Sequence, residues 1–450
     1  MGKSQSKGKF AFCGTDDSKK EKSKFKEIES INVANKKFSS VDKQDAENYD
    51  SMIPYGMLKK ISSQKNTNFN RDSTSSKEII GLKTCDTFTR NSNGERNSSD
   101  SVKYFTEKYL TRTSGSVRRL SSFNPTSNKK LDLANLQKLK VIGRGTFGKV
   151  LLVKSDDDNK LYALKCIKKI HVLKTNNLSN ILNEKKIFEK LDSPFIIKLI
   201  QTFQDQEMLY LLFDYYNGGE LFFHIQKMKR FNEEIVKFYA AEIYCALEYL
   251  HTQKIIYRDL KPENIVLDKF GHIKLIDFGL AKDFNKKRVD LCSTFCGTNE
   301  YIPPEVISGE RYSYNFDWWG YGNIIYEMLY GRPPFTDSTG SKNTLFQKIV
   351  KEEPNFTKYT ISHEAKDLIK SLLKKNPNDR INPARIPKHP FFKNIDFNMI
   401  RAKLITPQLR PEIKNEYDFT NIDSTFLKEN VNSPVKKLKY EIDQSKFADF

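Results

Sequence analysis

The chain has 450 residues, of which 38% are hydrophobic and 29% charged, and its formal net charge is +20 at pH 7. No stretch approaches the roughly 18–20 consecutive apolar residues that span a bilayer, and the amino terminus lacks the apolar core of a signal peptide. The six cysteines lie scattered without a CxxC pair. These features predict a protein without a transmembrane helix, argue against secretion, and favour reduced thiols in a cytosolic protein without structural zinc.

Residues 1–132 are rich in serine, asparagine and lysine, which is typical of a disordered tail. Within residues 1–130 there are 26 lysines and arginines against 15 aspartates and glutamates, so about half of the positive excess lies here. This asymmetry favours an anionic partner, whether a membrane surface, a nucleic acid or an acidic protein.

The first six residues, "MGKSQS", fit the pattern M-G-x-x-x-[ST] for amino-terminal myristoylation, with Gly2 as the acceptor. One acyl chain anchors only marginally, so the nearby lysines or a palmitate on Cys13 would supply a second membrane signal. We therefore predict a cytoplasmic protein that associates with membrane lipid through myristoyl-Gly2 and the basic tail.

From residue 136 onward the sequence consists of short strand-like runs, interrupted by a helical pattern over 178–191. After a linker near 215–219 the chain becomes largely helical. The predicted helices of this second part span 233–253, 317–331 and 363–375. The sequence thus predicts an α+β fold with a small β-rich lobe and a larger helical lobe over 136–392, followed by an irregular extension over 393–450.

The segment "GRGTFGKV" (143–150) fits the pattern G-x-G-x-x-G-x-V, whose glycines let backbone amides approach phosphates without intervening Cβ atoms. Alone this pattern is weak, because many glycine-rich turns and dinucleotide-binding folds share it. Here a second strand follows it directly, and then "YALK" (162–165), whose Lys165 we expect to grip nucleotide phosphates. Glu184, on the predicted helix, is the acid expected to hold Lys165 in place, the alternative being an ordinary exposed helix charge.

A second polar segment, "YRDLKPEN" (257–264), places a carboxylate, an ammonium and an amide within six positions. We expect Asp259 to orient an incoming hydroxyl and accept its proton, and Lys261 to neutralise charge on the transferred phosphoryl group. Asp277, in "LIDFGLA" (275–281), and Asn264 offer the oxygen ligands that Mg²⁺ prefers. Together these residues predict phosphoryl transfer.

Taken in order, the glycine-rich segment, "YALK", the helix acid, "YRDLKPEN" and "DFG" resemble the motif set of a eukaryotic protein kinase. "KPEN" is similar to serine/threonine rather than tyrosine kinases. Tyr257, "GTNEYIPPEV" (297–306), "DWWGYG" and the terminal "FADF" resemble the AGC group, in particular the cyclic-AMP-dependent catalytic subunit and protein kinase B. The resemblance implies an intracellular signalling enzyme that transfers the γ-phosphate of ATP, with Mg²⁺, to serine or threonine hydroxyls of proteins.

The resemblance also implies a set of nucleotide contacts and a catalytic role for Thr298, which would touch Asp259 and Lys261. The residues implied for ATP binding are Ile142, Gly143, Arg144, Gly145, Thr146, Phe147, Gly148, Lys149, Val150, Ala163, Lys165, Glu184, Phe213, Asp214, Tyr216 and Glu220.

A preference for basic substrates is implied by three acids, Glu220, Glu263 and Glu327, which match family positions that read substrate arginines. Carboxylates around one cleft attract guanidinium groups bidentately. The alternative is that they are unrelated surface or capping acids. Asn299 replaces the proline usual in this segment, which puts the pocket for the residue after the phosphoacceptor in doubt.

Activation by an upstream kinase is implied by Thr294 in "STFCGT", which matches the activating phosphosite of the family. Arg258 and Lys282 are expected to pair with that phosphate. Asn180 stands where the family commonly has a histidine, so we expect weaker coupling between the phosphothreonine and this helix.

Two features are implied to be scaffold. Glu305 and Arg380 fit a buried structural ion pair. The terminal "FADF" resembles a docking peptide that inserts Phe447 and Phe450 into the small lobe, a frayed apolar terminus being the alternative.

The sequence leaves several roles of the tail and two alternative functions open. The stretch "VRRLSSF" (117–123) fits an autophosphorylation site, a weak intramolecular inhibitor or plain tail, and with "KYFTEKYLTR" (103–112) it fits a calmodulin-like regulator. A pseudokinase scaffold is disfavoured by the presence of Lys165, Asp259 and Asp277 together. A nucleic-acid-binding protein would explain the charge, but no recognised module for it is present, so no nucleic-acid partner is expected.

Overall fold

A computed structural model describes residues 130–145, 147–285, 290–432 and 442–450. The predictions for Gly2, Cys13 and the tail stretches over 103–123, and the ATP contact predicted for Thr146, therefore lie outside the described residues.

The described chain contains nine strands and ten α-helices, with several 3₁₀ helices of three to six residues between them. The strands are β1 (Leu136–Gly145), β2 (Gly148–Ser155), β3 (Leu161–Lys168), β4 (Leu199–Gln204), β5 (Met208–Asp214), β6 (Ile255–Ile256), β7 (Ile265–Leu267), β8 (Ile273–Leu275) and β9 (Lys282–Asp283). The helices are α1 (Lys169–Lys174), α2 (Leu178–Lys190), α3 (Leu221–Met228), α4 (Glu233–Thr252), α5 (Pro304–Ile307), α6 (Asn315–Tyr330), α7 (Lys342–Lys351), α8 (His363–Leu372), α9 (Phe397–Arg401) and α10 (Ser424–Leu427).

The small lobe is built on an antiparallel five-stranded sheet in the order β1-β2-β3-β5-β4. Because successive side chains of a strand point to opposite faces, Leu164 and Cys166 of β3 pack in an outer cluster, while Ala163 and Ile167 join the main core. Lys165 lies on the same face as Ala163 and Ile167. The alternation of β3 thus turns this lysine toward the helices.

Helix α2 packs against that inner face. Its buried residues, Ile181, Glu184, Ile187 and Phe188, recur at helical spacing along one side. Glu184 is 1% exposed among these apolar neighbours. A charge in such a position needs a partner.

The helical lobe surrounds α6, whose residues from Phe316 to Tyr330 are all buried. Helix α4 packs against one side of α6, and α8 packs against it as well. Asn232 caps the start of α4, since its side chain accepts a hydrogen bond from the Ile235 amide. The short hairpin β7–β8 and the pair β6–β9 lie on this lobe and carry the segments that hold the polar motifs.

The segment after residue 392 returns to the small lobe. It lies against the linker, where a Cβ on Gly219 (φ +83°) would come within 2.7 Å of the Asn421 carbonyl oxygen. At its end Phe447 and Phe450 are buried in the core that contains α2. Gln204 of β4 donates to the Phe447 carbonyl at 3.1 Å. "FADF" is thus docked on the small lobe.

The predicted bilobal fold class is confirmed. The helices predicted over 178–191, 233–253, 317–331 and 363–375 correspond to α2, α4, α6 and α8. The remaining helices, among them α1, α3 and α7, were not predicted from the sequence. Within the described ranges, no helix combines the length and apolar character needed to span a membrane.

Candidate active site

Lys165 links the two lobes. Its Nζ lies 2.7 Å from Glu184 Oε1 on α2 and 3.1 Å from Asp277 Oδ1. Burial disfavours the ammonium, but Asp277 and Glu184 outweigh it and raise the pKa of Lys165 above its usual value. Burial opposes ionisation of Asp277 too, yet Lys165 holds the pKa of that carboxyl below its usual value. The lysine therefore stays charged between two acids, of which only Glu184 was expected from the sequence to contact it.

A second cluster forms around Asp259. Lys261 Nζ lies 2.9 Å from Asp259 Oδ2 and donates to Thr298 Oγ1 at 2.8 Å. Thr298 in turn donates to Asp259 Oδ1 at 3.1 Å. Asn264 Nδ2 donates to the other carboxylate oxygen at 2.7 Å. Both oxygens of Asp259 are thus held by neighbours from its own loop and from Thr298, which fixes the direction of the carboxylate.

The backbone of the loop that carries Asp259 is hydrogen-bonded to helix α6. Arg258 and Asp277 are non-glycine residues with positive φ, at 69° and 57°, a conformation that costs on the order of 1–2 kcal/mol per residue. Asp317 of α6 accepts hydrogen bonds from the Tyr257 and Arg258 amides at 2.9 and 2.8 Å. His251 Nε2 lies 2.8 Å from the same carboxylate. The sequence reading did not single out Asp317, whose only signal is its place in "DWWGYG".

The glycine-rich hairpin joins β1 to β2. At Gly148 a Cβ would come within 1.7 Å of the Cys166 carbonyl, so strand pairing requires glycine there. Glu429 of the extension binds the side chains of Arg144 and Lys149, at 2.8 and 2.9 Å. These two predicted ATP contacts thus share one carboxylate of the extension.

The remaining predicted nucleotide contacts lie on the sheet and the linker. Val150 pairs with Gly143 across the hairpin, and Ala163 pairs with Phe213 of β5. Phe213 is buried. Ile142, Gly145 and Asp214 also lie on the strands, whereas Phe147 lies in the turn between β1 and β2 and Tyr216 lies in the linker.

Two of the three predicted substrate-reading acids lie together. Burial raises the pKa of Glu220 to about 8, helped by the nearby carboxylates Glu263 and Asp423. Glu327, by contrast, is 2% exposed and accepts a hydrogen bond from the Tyr301 hydroxyl. The structure therefore forms an acidic mouth from Glu220 and Glu263, with Asp423 of the extension beside it. Asp423 was missed, because nothing local in the sequence links it to residue 220.

Thr294 is exposed and lies near the loop of Asp259. Arg258 donates through Nη1 to the Tyr312 hydroxyl at 3.0 Å, and that hydroxyl donates to the Thr294 carbonyl at 2.7 Å. Asn180 donates to Asn177 within its own helix at 2.7 Å. Tyr312, which the sequence reading missed, is thus the described link between Arg258 and Thr294.

The predicted scaffold ion pair is confirmed. Arg380 donates to both carboxylate oxygens of Glu305 at 2.8 and 2.5 Å, and both side chains are buried.

The oxygen donors of Asn264 and Asp277 fit a hard divalent ion. Asn264 uses its nitrogen toward Asp259, which leaves its carbonyl oxygen for another partner. Asp277 Oδ1 accepts from Lys165 and from the Gly279 amide, which leaves Oδ2. No group of three or more His, Cys, Asp and Glu side chains placed to hold a metal occurs in the described part of the chain. Such a pair suits Mg²⁺, which takes its other ligands from phosphates and water.

Residues 136–392 match the protein kinase domain. The chain belongs to the protein kinase family. A RAC family serine/threonine-protein kinase homolog of Dictyostelium discoideum is 41% identical over 306 residues, which cover 68% of each chain. Serine/threonine-protein kinase YPK1 of Saccharomyces cerevisiae is 39% identical over 357 residues, covering 78% of this chain and 52% of the relative. Serine/threonine-protein kinase gad8 of Schizosaccharomyces pombe is 41% identical over 319 residues, covering 70% and 55%.

This kinase is therefore of the serine/threonine type and of the AGC group, which confirms the predicted resemblance. It spans about half the length of the two fungal relatives. Family membership implies ATP, a divalent metal, protein substrates and upstream kinases.

Proposed function

We propose that this kinase transfers the γ-phosphate of ATP to serine or threonine hydroxyls in arginine-containing proteins, with Asp259 as the acceptor of the hydroxyl proton. The observation that carries the proposal is the paired geometry of the site. One cluster places Lys165 between Glu184 and Asp277, and the other fixes Asp259 through Lys261 and Thr298.

The chemistry follows from positioning and charge. Lys165 would bind nucleotide phosphates, and Asn264 with Asp277 would hold Mg²⁺, which supplies neutralisation of the phosphate oxygens. Lys261, whose pKa Asp259 raises against the effect of burial, remains a cation beside the transferred group. Asp259 orients the alcohol for in-line attack. The protein forms no covalent bond to the phosphoryl group in this reaction, so the rate depends on positioning and on charges that are aligned before the reaction.

The decisive test is peptide phosphorylation by the intact chain and by Asp259→Asn. We expect the variant to lose at least about a hundredfold in kcat, within the range for loss of a general base. Lys388→Gln is the matched control, because Lys388 is an exposed residue outside the site, and this change should leave kcat unchanged. Equal incorporation of phosphate by Asp259→Asn and the parent would show that the assigned chemistry is wrong.

The basic substrate preference rests on the acidic mouth. Burial, and after it repulsion by the Glu263 carboxylate, raises the pKa of Glu220, and the nearby Lys261 offsets these effects only in part. A substrate guanidinium relieves that repulsion. An arginine-scanned peptide library that shows no preference for arginine before the phosphoacceptor would contradict this assignment.

Activation through Thr294 is a further part of the proposal. The residue is exposed and therefore open to an upstream kinase. Its main chain is joined through Tyr312 to Arg258, the neighbour of Asp259. Phosphate on Thr294 would bind nearby cations and order this segment. Active protein from cells that carries no phosphate at Thr294 by mass spectrometry would refute it.

Membrane association rests on "MGKSQS" and the basic tail, so we place the kinase in the cytoplasm with Gly2 acylated. Gly2→Ala should move the protein from the membrane pellet to the supernatant, with Ser4→Ala as the control. An unchanged distribution would exclude the acyl anchor.

A further inference from the structure

One carboxylate of the extension binds both strands of the glycine-rich hairpin. Arg144 of β1 and Lys149 of β2 lie directly opposite each other, one pair before the glycines that flank the turn. Glu429 accepts from Arg144 Nε at 2.8 Å and from Arg144 Nη2 at 3.2 Å, and its Oε2 also lies 2.9 Å from Lys149 Nζ. Like charges directly opposite on paired strands repel, so the carboxylate both offsets a repulsion and joins the two strands.

The two cations of the hairpin lie on the outer face of the sheet. In β2, Leu151 and Val153 belong to the outer cluster, whereas Val150 packs against the main core. Because the side chains of a strand alternate, Lys149 shares the outer face with Leu151. Val150 shares the inner face with Lys165, its partner on β3. Lys149 is therefore on the opposite face of the sheet from the lysine of the candidate active site.

The extension holds Glu429 in place on both sides. Phe426 of α10, before it, and Val431, after it, pack against the outer cluster of the sheet. The Glu429 amide donates to the Phe426 carbonyl at 2.9 Å, and Lys149 Nζ donates to the Asn430 carbonyl at 3.0 Å. Burial opposes ionisation of Glu429, but hydrogen bonds from the two cations of the hairpin outweigh it and hold the pKa of this carboxyl below its usual value. The contact is therefore a charged network set by packing rather than a single surface pair.

The tip of the hairpin contains little that would fix its position by itself. Gly145 pairs with Gly148 at the last rung before the turn, and the register of β1 is irregular between Val141 and Gly143. Glycine gives the backbone freedom that an ordered strand must lose. A contact from outside the strands therefore decides how closely this hairpin covers what binds beneath it.

We propose that Glu429 is a positioning residue for nucleotide binding, which joins the two strands of the hairpin from the outer face and keeps the hairpin closed over ATP. Arg144 and Lys149 bind this carboxylate rather than the phosphates of the nucleotide. The inference deepens the proposed function and rests on it, since it requires that ATP binds beneath the hairpin.

Steady-state kinetics of the full chain with varied ATP tests this role. Glu429→Gln keeps the shape of the side chain and removes its charge, so we expect the KM for ATP to rise about fivefold, near the upper end for a partly exposed ion pair. The KM for the arginine peptide should stay within about twofold, because the acidic mouth keeps its carboxylates. Glu416→Gln, at an exposed carboxylate of the same extension, is the matched control and should leave both values unchanged.

A double variant separates positioning from direct binding of phosphate. Lys149→Gln alone should raise the KM for ATP about twofold to threefold, because the network loses one of its two cations. Added to Glu429→Gln, it should raise the KM no further, because both changes remove the same contact. Lys154→Gln, on the same strand, is the control for the loss of a lysine. A further rise in the double variant would show that Lys149 binds phosphate itself and would overturn the proposal.

The other outcomes are also decisive. An unchanged KM for ATP in Glu429→Gln would overturn the proposal, and so would a lower KM, which would mean that Glu429 competes with the nucleotide for the two cations. A lower Tm with an unchanged KM for ATP would leave Glu429 a purely structural role. A parent chain that binds no ATP in calorimetry would contradict the proposed function itself, whereas equal ATP affinity of the parent and Glu429→Gln would contradict this inference alone.

Discussion

At the scale of single residues, the acidic mouth makes a pH-dependent prediction. Burial and the neighbouring carboxylates Glu263 and Asp423 raise the pKa of Glu220 to about 8. A substrate guanidinium favours the ionised carboxylate, so binding below pH 8 must displace a proton, and affinity increases as the pH rises. The KM for an arginine peptide should therefore fall by up to about fivefold between pH 7 and pH 8, fall by about a further factor of two above pH 8, and then level off.

Steady-state kinetics on paired peptides measures this effect. A peptide with norleucine in place of arginine is the control, and its KM should not follow the same curve. Glu220→Gln should remove the pH dependence for the arginine peptide. A KM that is flat or rises with pH for the parent enzyme would contradict the acidic mouth as the arginine site.

Among single residues, the sequence pointed to the polar groups that the structure places at the candidate active site, and it missed several residues that contact them. Lys165, Asp259 and Asp277 stand in short ordered motifs, so their types and spacing indicated their roles. Tyr312 and Asp423 carry no such local signal. Their importance arises from contacts that the fold makes between distant segments, such as the hydrogen bond from Tyr312 to the Thr294 carbonyl.

At the scale of elements, the docked terminus supports helix α2. Phe447 is fully buried, with the ammonium of Lys169 4.8 Å from its ring centre, and Lys185 of α2 lies 5.5 Å from the Phe450 ring centre. Lys185 is the neighbour of Glu184, which holds Lys165. Phe447→Ala should therefore undock the last turn, loosen α2 and lower kcat about tenfold, equivalent to about 1.4 kcal/mol of transition-state stabilisation.

The matched control for this prediction is Lys446→Ala, since Lys446 is exposed beside the same residue. Its kcat should stay within about twofold of the parent, as expected of a surface change. A synthetic peptide of residues 442–450 added to Phe447→Ala should restore part of the activity, which separates undocking from general unfolding. Full activity of Phe447→Ala would mean that the terminus does not support α2.

The contacts of the extension with the small lobe could not be predicted from the sequence, unlike most of the strands and long helices. The five strands and the long helices follow from alternation and helical periodicity, and the structure has them near the predicted positions. The contact of Glu429 with Arg144 joins residues 285 positions apart. No pattern within either segment predicts that pairing, because it depends on how the extension returns across the completed small lobe.

At the scale of the whole molecule, function depends on two lobes that share one ionic contact network. Lys165 from the sheet and Asp277 from the helical lobe meet at 3.1 Å, and the linker over 215–219 joins the lobes. We expect a nucleotide with its metal to bind between them, because Lys165 and Asp277 meet at that seam. The two-lobed arrangement could be predicted from the sequence. The distance between Lys165 and Asp277 could not, because it depends on how the two lobes pack in the folded protein.

Calorimetric titration of the folded chain with ATP tests this account most directly. We predict one nucleotide bound per chain in the presence of Mg²⁺, with affinity reduced at least about tenfold in Asp277→Asn or when EDTA replaces the metal, since each removes a charge-assisted contact. Absence of binding heat, or equal affinity of Asp277→Asn and the parent with Mg²⁺ present, would contradict the central claim.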